Sequence, residues 1–339
     1  MPELAIALPD DFHVHLRQGP AMAAYAARHA ATFGRFMVMP NVVPPPVDGR
    51  GVADYARAVE KAVAASGYAS AVLPSFKLVP GMGADAVRSC AAAGAVAGKY
   101  YPAGATTNAA DGVADPADVA AELAAMEEAG LVLSVHGEDP AAPSFDREER
   151  FLPVLDGIVA KHPRLRVVLE HLSTAAAVDA VRAWPSRVAA TITAHHLSFT
   201  VDDLLGERLD PHLFCKPVLK GARDREALVR AAVSGDPRFF FGSDSAPHPR
   251  AAKEGGRAPA GMYSSPVAMS LLAAAFEEAG DLGRLEAFCS EYGARFYGLP
   301  RNGGRLRLWK EPWTVPAELD GCVPPAAGRV LGWRAERIG

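Results

Sequence analysis

Apolar residues along this chain gather into short runs, separated by longer Ala-rich or charged stretches that suit helices. The first run, residues 10–17, alternates with period two. Phe12, Val14 and Leu16 point one way, and Asp11, His13, His15 and Arg17 the other. Further strands are predicted over residues 35–39, 69–76, 95–101, 131–136, 166–171, 188–193 and 238–242. Helices are predicted over residues 21–31, 52–65, 84–93, 151–161, 224–234, 266–278 and 283–297. Two more open at Asp115–Pro116, with Asp115 as N-cap, and at Ser173 or Thr174, running to Trp184. Strand and helix alternate about eight times with no linker, which argues for a parallel sheet with crossover helices.

Eight such units suggest a closed (β/α)8 barrel. A doubly wound open sheet is the alternative, weakened because no G-x-G-x-x-G follows the first strand. One domain is expected over residues 1–339, with a barrel core over about 9–300 and an extension over about 301–339. From Gly303 the chain is Pro- and Trp-rich without a period, and is expected to pack as an irregular layer on the barrel.

Composition narrows the class. Net charge is −4 with no basic stripe, which argues against nucleic acid as a partner. No apolar run reaches membrane-spanning length, and the first residues lack the pattern of a signal peptide. Cys90, Cys215, Cys289 and Cys322 are far apart and form no CxxC pair, so the expectation is a reduced, cytoplasmic protein.

The polar residues of interest fall at the C-terminal ends of predicted strands. His13, His15 and Arg17 belong to the first, Asn41 follows the second and Lys99 lies in the fourth. His136 ends the fifth, His171 ends the sixth, and Asp244 follows the eighth. A barrel brings these ends to one face, where active sites are found. Four histidines and a carboxylate suit zinc or a similar divalent ion, and Arg17 can hold an anionic ligand beside it. A buried Lys99 would have a lowered pKa, and its neutral amine could add carbon dioxide to become a bridging carbamate. The ordinary alternative is a lysine in a salt bridge. His29, His162, His195, His196 and His212 are read as structural, the last three in a loop region.

Five segments carry a resemblance. They are the run from Asp10 to Arg17, Lys99-Tyr100-Tyr101-Pro102-Ala103-Gly104-Ala105-Thr106-Thr107-Asn108, Val135-His136-Gly137-Glu138, Leu169-Glu170-His171-Leu172-Ser173-Thr174, and Gly242-Ser243-Asp244-Ser245-Ala246-Pro247-His248. Together they closely resemble the motifs of the dihydroorotase family, short bacterial type, within the amidohydrolase superfamily. The likeness runs from about Pro9 to the tail. The H-x-H pair is specific only for the superfamily; the lysine stretch with S-D-S-A-P-H is far more specific.

The resemblance implies a zinc-dependent barrel of the metal-dependent hydrolase type, holding two zinc ions per subunit. His13, His15 and Asp244 would hold the more buried ion, and His136 and His171 the other. Lys99, as N6-carboxylysine, and a hydroxide would bridge them. The implied reaction is reversible hydrolysis of (S)-dihydroorotate to N-carbamoyl-L-aspartate in pyrimidine (UMP) biosynthesis. The bridging hydroxide would attack the ring carbonyl, with Asp244 as general base and then acid. Arg17, Asn41 and His248 would bind the substrate carboxylate. His136 and backbone near Lys216 and Ala260-Gly261 would touch the ring. Family members often carry Leu where Lys216 stands, a departure that matters little if that contact is through backbone. Thr106 and Thr107 would form a mobile lid. A homodimer is also implied. Two other readings stand beside this one: a hydantoinase or similar cyclic amidase, which would lack the carboxylate clamp, and a non-catalytic scaffold homologue, which should have lost ligands.

Overall fold

The computed structural model describes residues 3–338. A first strand, β1 (Glu3–Ala7), precedes eight short parallel ones. These are β2 (Asp10–Val14), β3 (Arg35–Val38), β4 (Ala71–Leu78), β5 (Ala97–Tyr100), β6 (Val132–Val135), β7 (Arg166–Leu169), β8 (Val188–Ile192) and β9 (Phe239–Phe241). They pair in chain order, each with the next. Beyond β9 the ring is drawn together by Asp244 and Ser245. The Asp244 amide donates to the His13 carbonyl at 2.8 Å, and the His15 amide to the Ser245 carbonyl at 2.9 Å. The predicted barrel is therefore the observed fold.

The apolar runs are explained by burial on both faces, as parallel strands under helices require. Seen from inside, the barrel is layered. One residue from each strand forms the lower layer: Phe12, Met37, Leu73, Ala97, Val132, Val168, Ala189 and Phe240. Two residues further along four of these strands, on the same side of the pleat, come Lys99, Ser134, Glu170 and Thr191. An apolar floor thus carries a polar layer. Gly242 is needed at that level, since a Cβ there would lie 2.9 Å from Thr191 Cβ and 3.1 Å from His13 Cβ. The other pleat face packs outward against the helices.

Three local expectations are corrected. The first barrel strand stops at Val14 instead of Arg17, with a register shift against β3 between Asp11 and Val14. Simple alternation fails there: Phe12 joins the barrel interior, while Val14 and Leu16 join the outer core. His195 and His196 lie in a short helix, Ala194–Ser198, not a loop, with Thr193 as its cap. The tail is not irregular. It forms β10 (Arg305–Thr314) and β11 (Val330–Ile338), an antiparallel sheet in the order β1-β10-β11. The reason is period two in Arg305-Leu306-Arg307-Leu308, where both leucines are buried and Arg305 is exposed.

Phe12 keys the barrel floor. Its ring stacks on Tyr297 at 4.7 Å between centroids and meets Phe240 edge-on at 5.4 Å. Gly293 comes so close that a Cβ would stand 2.3 Å from Phe12 Cε2. Phe12→Ala is expected to cost about 3–5 kcal/mol of stability through the cavity it leaves. A urea titration reading the midpoint at unchanged slope checks this.

Candidate active site

The polar layer and the loops above it converge on one cavity at the C-terminal mouth of the barrel, lined by His13, His15, Arg17, His136, His171 and Asp244 among others.

Each of three imidazoles has one nitrogen turned away to an acceptor. His13 Nδ1 lies 3.0 Å from Glu170 Oε2, His15 Nδ1 2.7 Å from Asn41 Oδ1, and His136 Nε2 2.8 Å from Glu138 Oε2. A carboxylate or amide oxygen only accepts, so those ring nitrogens carry the protons. In a ring with one proton the opposite nitrogen is then bare, and in all three it faces inward. His13 Nε2 and His15 Nε2 are 3.3 Å apart, at 3.4 and 3.2 Å from Asp244 Oδ1. His136 Nδ1 lies 3.1 Å from His171 Nε2. The His13 and His171 rings are 5.1 Å apart, so the two pairs adjoin. Lone pairs aimed at one another repel unless a cation sits among them. This donor set fits a metal ion, with acceptors behind it that fix the tautomers.

Electrostatics agree. Burial depresses His15 to about 4, against the pull of Asp244, and lowers His136. Burial, with His136 beside it, takes His171 well below the usual value. Burial raises the Asp244 carboxyl, but the His15, His13 and His171 rings packed around it outweigh that and hold it well below the usual range. Lys99 is fully buried, and its Nζ has no hydrogen-bond partner among the described residues. Burial lowers it to about 8 despite Glu170 and Asp244.

Glu170 centres the polar layer. It accepts from Ser134 Oγ and, at 2.6 Å, from Thr191 Oγ1, besides facing His13. The backbone above is strained. Arg17, His171 and Asp244 have φ of 58°, 44° and 43°, left-handed values that each cost about 1–3 kcal/mol in a non-glycine residue. The His171 amide is held by Thr191 Oγ1 at 2.7 Å.

The remaining predicted residues border the same cavity. Arg17 Nε donates to the Pro247 carbonyl at 3.0 Å, and its Nη2 reaches His248 Nε2 at 2.8 Å. That same Nε2 lies 3.0 Å from the Ala260 carbonyl. One nitrogen cannot both accept from Arg17 and donate to Ala260, so one contact is always unmade. Asn41 lines the cavity, but its Oδ1 is engaged by His15. Thr106, Thr107, Lys216 and Ala260 line it too. Lys216 Nζ donates to the Ala105 carbonyl at 2.6 Å, reaching into the loop that carries both threonines.

Sequence reasoning missed Glu170 and Glu138, although both stand inside its motifs. Their signal was a carboxylate in or beside an apolar strand, which needs a buried partner. His195, His196 and Cys215 form a second compact buried group. His196 already meets Thr193 Oγ1 at 2.9 Å and the Pro217 carbonyl at 3.2 Å, and Cys215 Sγ donates to that carbonyl at 3.1 Å. His29 lies between Ser265 Oγ at 2.8 Å and Asp11 Oδ2 at 3.2 Å, and His212 faces Glu254.

A parallel barrel with paired histidines and an aspartate at its mouth is an amidohydrolase arrangement, and residues 10–327 match the Amidohydrolase family, to which the chain belongs. A dihydroorotase of Teredinibacter turnerae is 42% identical, covering 98% of this chain and 99% of that protein. The crystal structure of dihydroorotase from Saccharomyces cerevisiae in complex with 5-fluoroorotic acid is 35% identical, with a TM-score of 0.91 over 99% of each chain. Within the family the chain therefore stands with the dihydroorotases, which are cyclic amidohydrolases. An L-hydantoinase of Arthrobacter aurescens shares the fold alone: 17% identity, a TM-score of 0.84, and 99% of this chain over 84% of that one.

His195 supplies a test of burial. Its ring, without a hydrogen-bond partner among the described residues, is depressed to about 4 by burial. The unfolded chain binds this proton near pH 6.5 and the folded chain only near 4. Stability is therefore lost as pH falls through that window. With metal chelated, the parent should lose about 2 kcal/mol more than His195→Leu between pH 7 and pH 5. Paired urea titrations at the two pH values measure it.

Proposed function

We propose that this enzyme interconverts (S)-dihydroorotate and N-carbamoyl-L-aspartate, with two zinc ions per subunit, in pyrimidine biosynthesis. The observation that carries the reading is one cavity holding both the inward-facing bare imidazole nitrogens and the Arg17 guanidinium. The first suits a metal, the second a carboxylate. The yeast relative's complex with 5-fluoroorotic acid, a pyrimidine carboxylate, supports the pairing.

His13, His15 and Asp244 would hold one ion, His136 and His171 the other, and Lys99 would be shared between them as its carbamate. When bound, the metal supplies Lewis-acid polarisation of the amide carbonyl and makes water acidic enough to ionise near neutral pH. Everything else falls to the chain. Arg17 pairs with the substrate carboxylate in a charge-assisted contact, which fixes the ring's orientation. An anion there also draws the guanidinium from His248, whose Nε2–H is then free to donate to Ala260. Water oxygen adds to the ring carbonyl, and Asp244 takes its proton. As the C–N bond breaks, Asp244 returns that proton to the departing nitrogen. Thr106 and Thr107 close the cavity and exclude bulk water. Lys99, near 8, has a neutral fraction at physiological pH that can add carbon dioxide, releasing one proton. The setting we propose is a cytoplasmic homodimer.

The direct test follows interconversion of dihydroorotate and N-carbamoyl-aspartate before and after chelation, with zinc add-back. Activity should vanish on chelation and return with zinc. Turnover of hydantoins but not of dihydroorotate would move the substrate to another cyclic amide.

Lys99→Ala should lose most activity and at least one equivalent of bound metal, read by elemental analysis of the purified protein. Full activity with metal content unchanged would reject the carbamate.

A further inference from the structure

The cavity wall made by Ala260 and Gly261 is backbone, and a lysine behind it fixes its direction. We propose that Lys253 is a positioning residue, whose buried ammonium turns the Pro259–Gly261 peptides so that the Ala260 amide is aimed at the cyclic-amide ring. This rests on the reading of the cavity as a cyclic-amide site.

Lys253 ends the short helix Arg250–Lys253 and is 2% exposed. Its Nζ donates to the carbonyls of Phe214 at 2.9 Å, Pro259 at 3.0 Å and Gly261 at 2.9 Å. An ammonium has three protons, and here three carbonyls take them. In a trans peptide the C=O and the following N–H point in opposite directions. With the Pro259 carbonyl drawn toward Lys253, the Ala260 N–H points away from it. Ala260 lines the cavity, and its amide donates to no backbone or side-chain group among the described residues.

The same clamp sets the neighbouring contacts. The Gly261 amide donates to the Phe214 carbonyl at 2.9 Å, and the Ala246 amide to the Met262 carbonyl at 2.7 Å. The wall is thereby sewn to the segment carrying Asp244 and His248. Gly261 has φ +138°, and a Cβ there would stand 2.7 Å from the Ala246 carbonyl, so the wall packs closely on that segment. Burial lowers Lys253 to about 8, opposed by Cys215 and Asp210.

The test compares Lys253→Met, which keeps the stem, and Lys253→Arg, whose planar fork cannot meet three carbonyls around one nitrogen. The metal-loaded full chain is used. For Lys253→Met, KM for dihydroorotate should rise about tenfold with kcat within about threefold and metal content unchanged. Lys253→Arg should fall between parent and Met. Amide hydrogen exchange across residues 255–263 should quicken in the Met variant, a readout independent of turnover. A folded Met variant with lowered melting temperature but the parent's KM and the parent's exchange would overturn the proposal. Should Met fail to fold, Arg alone decides by the same two readouts. If the parent opens another cyclic amide but not dihydroorotate, the substrate reading fails while the KM comparison on that amide still judges Lys253.

Discussion

The bare Nε2 atoms of His13 and His15, held face to face at 3.3 Å beside the His136–His171 pair, are the constraint on which the mouth of this barrel depends. Such a pair is unfavourable by itself. It persists because each of three rings is fixed from behind by an oxygen that can only accept, on Glu170, Asn41 and Glu138. Those acceptors must themselves be held. Glu170 is fixed by the hydroxyls of Ser134 and Thr191, each standing two residues above the apolar floor on its own strand. The chain of dependence therefore runs from core packing to hydroxyl, to carboxylate, to tautomer, to a cation site. Loosening the floor would reach the inward-facing imidazoles through fixed contacts.

Above the strands, order comes from another source. The loops round the mouth have few regular ladders, and lysine ammoniums substitute for them by donating to backbone carbonyls. Lys253 takes Phe214, Pro259 and Gly261; Lys216 takes Ala105; Lys77 takes Asn108 and also pairs with Asp111. An ammonium is suited to this because its three donors match converging carbonyls that no strand partner reaches. The left-handed backbone at Arg17, His171 and Asp244 is sustained in the same surroundings. Strain is tolerated where neighbouring hydrogen bonds leave the chain no alternative.

This division also explains what the sequence made legible. The barrel could be read because its strands are apolar on both faces, as in Arg238-Phe239-Phe240-Phe241. The candidate ligands could be read because a barrel gathers strand ends, so position along the chain translated into position in space. Residues whose meaning depends on a partner far away could not. Lys253 lies 39 residues from Phe214, and Glu170 lies 157 from His13. Nothing local marks Lys253, and the apolar strand before Glu170 says that it needs a buried partner without saying which. The tail was a different failure. Its alternation at Arg305–Leu308 was present, but prolines and tryptophans masked it, and its pairing partner β1 lies about 300 residues upstream.

Lys99 shows why the layer order matters for charge. As an ammonium it would stand wholly buried, without a hydrogen-bond partner among the described residues, beside rings that already present bare nitrogens to the cavity. A single positive charge on a flexible stem cannot satisfy both imidazole pairs. On the proposed reading, carboxylation turns that charge from positive to negative and adds two oxygens to the same stem. The site then gains enough negative character to hold a second divalent ion, and a net positive field remains toward the opening, where Arg17 waits for a carboxylate. A glutamate at this position would supply the charge but not the reach, since its carboxylate ends nearer the backbone than a lysine carbamate does. On that reading, the long side chain in the polar layer would let one strand serve both pairs of histidines.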